Sequence, residues 1–78
     1  MKLFEVTVEE YYDASYEGDI NTSYTRLVIA NNIDEAIDVV KNGLPNYDNT
    51  CSRVDGITAI QINLDQIKRK RVPGYYKK

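Results

Sequence analysis

Histidine and tryptophan are absent from this chain, and cysteine occurs once. Without histidine, the commonest general acid–base group and the commonest metal ligand are missing. A single cysteine builds neither a disulfide framework nor a zinc cluster within one chain, and Cys51 has no histidine base to activate it as a nucleophile. Glycine is sparse too. Gly18, Gly43, Gly56 and Gly74 are scattered along the chain and form no phosphate-cradling loop. No apolar run approaches the ~20 residues needed to cross a bilayer, and Leu3-Phe4 is far too short for a signal peptide. These absences point to a cytoplasmic protein that is no enzyme and uses no cofactor or metal.

What is present is a globular composition in a short chain. With 78 residues, 42% of them hydrophobic and 28% charged, the chain suits one domain that buries about 60% of its unfolded surface. The net charge of −2 conceals a split. Residues 1–65 carry all 12 acids against Lys2, Arg26, Lys41 and Arg53, a net of −8. Residues 66–78 carry six bases and no acid. The sequence therefore reads as an acidic α+β domain over 1–65 followed by a basic, tyrosine-containing tail over 66–78. Such a tail either grips a partner or folds back on its own acidic body.

From Lys2 to Tyr12 apolar and polar residues alternate, with Phe4, Val6 and Val8 on one side, which predicts a half-buried strand. Asp13 to Asn21 is polar, contains Gly18 and reads as a hairpin loop; a second strand follows from about Thr22 to Ala30. Asn32 then offers a helix cap, with Glu35 three residues on. Ile33, Ala36, Ile37 and Val40 form one apolar stripe at helical spacing. Asp34, Glu35 and Asp38 near the start and Lys41 near the end suit the helix dipole. Gly43 is expected in a left-handed cap, before Leu44 and Pro45. After a connection from Pro45 to Asp55, Gly56 opens a third strand. In it Thr58, Ile60, Ile62 and Leu64 share one face and Ala59, Gln61 and Asn63 the other. Pro73 and Gly74 are expected to stop any regular element in the tail. The order is β-β-α-β: a two-layer α+β fold with a three-stranded, mainly antiparallel sheet and one helix on one face. So small a sheet leaves an edge or a bare face through which the chain can form a homodimer.

Glu9, Glu10, Asp13, Glu17 and Asp19 gather around the first loop, but their spacing matches no metal-binding loop. Tyr11, Tyr12, Tyr16 and Tyr24 flank the same hairpin, and exposed tyrosines favour protein interfaces. Glu9, Glu10, Tyr11, Tyr12 and Tyr16 are thus the candidate protein-binding patch. In the tail, Lys68, Arg69, Lys70 and Arg71 supply charge while Tyr75 and Tyr76 supply stacking faces, the combination that holds single-stranded nucleic acid. These six residues are the candidate nucleic-acid site.

The stretch from Arg26 to Val40, RLVIANNIDEAIDVV, resembles the strand-to-helix junction of small phage- and plasmid-encoded proteins of the DpnD/PcfM-like type. An apolar strand and polar cap lead into "EA" at the start of an amphipathic helix. The β-β-α-β layout is also similar to that of some small phage-encoded anti-CRISPR proteins. The resemblance implies a mobile-element origin and a role in binding, and it carries over no functional residues. The expected function is a non-enzymatic interaction protein that binds and occludes a macromolecular partner such as a bacterial defence complex. The second expectation is an accessory module that binds nucleic acid through its tail.

Overall fold

A computed structural model describes residues 1–14, 18–44, 52–62 and 68–75. The element order is β1 (Lys2–Ala14), β2 (Gly18–Ala30), α1 (Ile33–Asn42), β3 (Ser52–Ile62) and β4 (Lys68–Tyr75). The strands form one open antiparallel sheet in the order β2-β1-β3-β4, with α1 packed on one face. The α+β class and the helix stand as expected; the sheet has four strands, not three.

The fourth strand corrects the reading of Pro73 and Gly74 as a stop. β4 lies at the sheet edge, where one row of backbone groups has no neighbouring strand, so a residue lacking its N–H is accommodated there. Pro73 pairs with Gly56, and Gly74 adopts φ +49° without ending the ladder. Pairing also shortens the expected hairpin loop. Asp13 and Ala14 extend β1, while Gly18, at φ +83°, opens β2. Cross-strand contacts here override a turn-like composition.

Helix α1 forms as the sequence requires. The Asn32 side-chain oxygen accepts from the Glu35 amide at 2.8 Å, and Ala36, Ile37 and Val40 are buried. Its end differs from expectation: Gly43 has φ −91°, and its amide bonds back to Val40, so no left-handed residue is needed. The Arg26 guanidinium lies beside this end, where a Cβ on Gly43 would come within 3.4 Å of it. A cation suits the negative end of the helix dipole. At the other end Asp34 forms an ion pair with Lys70 of β4. The helix thus runs diagonally from the β4 side to the β2 side.

Phe4, Val6 and Val8 of β1, Val28 and Ala30 of β2, and Val54, Ile57 and Ala59 of β3 form the core with the helix stripe and Leu44. Strand β3 begins earlier than Gly56 because it carries a β-bulge. Glu9 pairs with Gly56 but Glu10 pairs with Val54, leaving Asp55 as the extra residue. The insertion shifts the alternation by one, so Val54 and Ile57, three apart in sequence, are both fully buried.

At ~1.5 Å per residue the ten-residue helix is about 15 Å long, against about 43 Å for the 13-residue strands β1 and β2. The molecule accordingly measures 47 × 22 × 16 Å. One end of the sheet lies under the helix, and the end nearer the hairpin extends beyond it.

Candidate functional site

The expected protein-binding patch falls at that uncovered end. Successive residues of a strand point to opposite faces, so β1 divides the patch. Glu9 and Tyr11 face away from the helix, whereas Glu10 and Tyr12 lie on the helix side. Tyr12 is 50% exposed. Tyr16 lies outside the described residues.

On the helix-free face, the Arg53 guanidinium stacks on the Tyr11 ring at 3.8 Å from its centroid and bonds Asp55 Oδ1 through Nε at 2.9 Å. Tyr11 and Arg53 pair directly across β1 and β3. Beside them, Arg71 Nη2 of β4 donates to Glu9 Oε2 of β1 at 2.7 Å, spanning the intervening strand β3. Gly56 permits this reach. A Cβ there would lie 2.4 Å from Arg71 Nη2 and 2.7 Å from Glu9 Oε2, in the space the pair occupies.

On the helix side Tyr24 packs near Glu10. Burial raises the Tyr24 phenol above its ordinary value of 10.0, the Glu10 carboxylate raises it further, and Arg26 acts in the opposite direction. A shallow depression of about 390 Å³ at this end is lined by Glu9, Glu10, Asn21, Thr22, Ser23, Asp55 and Arg71. Its lining combines both charge signs with neutral hydrogen-bonding groups. Glu9 and Glu10, neighbours on β1, both contribute to this lining. Among the described residues no cluster of three histidine, cysteine or acidic side chains is placed to hold a metal ion, and no described helix is long and apolar enough to cross a membrane.

The bases expected to hold nucleic acid stand on strand β4, which sends them alternately to the two faces. Lys70 meets Asp34 on the helix side, and Arg71 meets Glu9 on the other. Arg69 is exposed on the same face as Arg71. The side chains of Lys68 and Tyr75, and all of Tyr76, lie outside the described residues. Sequence reasoning missed Arg53, Asp55 and Gly56 as parts of the patch. The signal was the broken alternation between Val54 and Ile57, which reads as a turn until the bulge is known.

The chain matches no protein-family model, no curated protein and no solved structure.

Proposed function

We propose that this chain is a small, non-enzymatic interaction protein of the phage or mobile-element type. It binds a macromolecular partner, a bacterial defence complex in this reading, and occludes it through the uncovered end of its sheet. The observation that carries the reading is the length mismatch between helix and strands. Most of the core lies where the helix covers the sheet, with Val54 alone reaching the level of Glu10, yet β1 and β2 continue beyond it with Glu9, Glu10, Tyr11, Tyr12 and Tyr24. A tyrosine exposed on a rigid strand contributes large contact area at low entropy cost. The side chains of Tyr11, Arg53, Asp55, Glu9 and Arg71 are already held by one another, so docking orders few of them further. Nucleic-acid binding through β4 would compete with the Asp34–Lys70 and Glu9–Arg71 pairs, which favours the protein-binding reading.

Immobilised protein presented with purified bacterial defence complexes tests this by interferometry. Tyr12→Ser is expected to weaken the captured complex at least tenfold, about 1.4 kcal/mol, with the thermal melt unchanged. Binding that survives both Tyr12→Ser and Tyr11→Ser removes this end of the sheet as the contact surface.

A further inference from the structure

Opposite the helix, the pairing register arranges the covered end of the sheet in rows across the strands. Ile29, Leu3 and Ile62 form one row; Leu27, Glu5, Ile60 and Arg69 form the next. This face is apolar and bare, with Leu27 66%, Ile29 65%, Ile62 47% and Leu3 37% exposed. Its charges separate into two kinds. Toward the hairpin, Glu9–Arg71 and Arg53–Asp55 are paired. In the apolar region Glu5 and Arg69 have no ion-pair partner among the described residues.

The difference has a local cause. Glu9 and Arg71 close over Gly56, which has no side chain, whereas Ile60 stands between Glu5 and Arg69. An acid and a base therefore remain in one row, on either side of an isoleucine, and cannot close on each other within the chain.

We propose that this face binds a second copy of the chain, forming a two-fold dimer with sheets packed face to face and helices outside. A two-fold axis along the strands lays each row on its own copy with the strand order reversed. Apolar row meets apolar row, and Glu5 of each protomer comes to the Arg69 side of its partner. The face is thus self-complementary in both polarity and charge, as an isologous contact requires. Four strands at ~4.8 Å by about seven residues at ~3.3 Å give a plan of about 19 × 23 Å. That plan, roughly 440 Å² before side-chain relief, is about half of the ~800 Å² per partner of a standard interface, so the contact is a small one. The same axis brings Tyr11, Glu9 and Arg53, which share this face, toward their own copies, whereas Tyr12 and Tyr24 lie on the helix side and stay clear of the contact.

Light scattering and sedimentation of the full chain across a concentration series decide the matter. The expected mass is twice the 9.0 kDa of the chain, with a melting temperature that rises with concentration. Leu27→Lys, at an exposed position that the fold does not need, is expected to give a folded monomer by circular dichroism. Glu5→Arg is expected to weaken the dimer at least tenfold, and Glu5→Arg with Arg69→Glu to restore it. A monomer at every concentration overturns the proposal, as does a double variant that fails to restore the dimer. A dimer that survives Leu27→Lys but is lost in Ser23→Pro also overturns it, assigning the contact to the β2 edge. Tyr12→Ser should leave the dimer intact, so failure of the capture reading and failure of this one are separable.

Discussion

The two faces of this sheet carry similar apolar residues at the same level and meet different fates. On the helix side Phe4, Val28 and Gln61 form a row that is almost wholly buried. One residue along each strand, Leu3, Ile29 and Ile62 form the corresponding row on the other face, and all three remain exposed. Strand chemistry does not predict which row is covered, since the buried row includes the polar Gln61 while the exposed row is wholly apolar. Coverage does: one helix serves one face. The lesson is that hydrophobicity in a short two-layer protein identifies strands without saying which side is the core.

The contrast predicts unequal mutational costs. Ile57→Ala, at a fully buried position, is expected to destabilise by about 2–5 kcal/mol. Leu27→Ala, measured by urea denaturation at concentrations low enough to keep the chain monomeric, should cost under about 0.5 kcal/mol. Equal losses would show that the bare face is covered within the monomer.

Gly56→Ala sharpens the comparison within the bare face. The new methyl displaces the Glu9–Arg71 pair, yet both side chains are more than one-third exposed, so solvent screening holds the loss below about 1 kcal/mol. The diagnostic is salt: the wild type should lose this increment between low and high ionic strength, and the variant should not. A loss of several kcal/mol would mean that Gly56 is required for backbone geometry instead.

The smallest effect concerns the other face. Tyr24 has a raised phenol pKa, so the folded state holds this proton more tightly than the unfolded chain. Its contribution to stability is complete below pH ~10 and fades as pH rises through the folded value. Ultraviolet titration of the phenolate should show Glu10→Gln lowering that value, because one of the two raising influences is removed. An unchanged titration would place Glu10 away from the ring.

One edge of the sheet and one bulge in its interior show how far sequence reading reaches. Residues 68–71, KRKR, together with Pro73 and Gly74, read as a basic tail because each breaks a rule for an interior strand. At an edge the same residues are suitable, since charge and proline discourage further strand pairing. Nothing local in residues 68–75 distinguishes a tail from a protected edge; the difference is the presence of β3 alongside. The bulge at Asp55 is similar. Asp-Gly between apolar residues fits both a turn and an inserted strand residue, and pairing with β1 decides between them.

By itself the sequence determined the helix, its cap and buried stripe, the first hairpin and the α+β class, because capping and alternation act over a few neighbouring residues. The tertiary structure alone decided that β4 completes the sheet and that Val54 and Ile57 share the core. It also decided that Tyr11 stacks under Arg53 and that Glu9 reaches Arg71 across a glycine. Each of these depends on register between segments distant in the chain, where a shift of one residue exchanges the two faces.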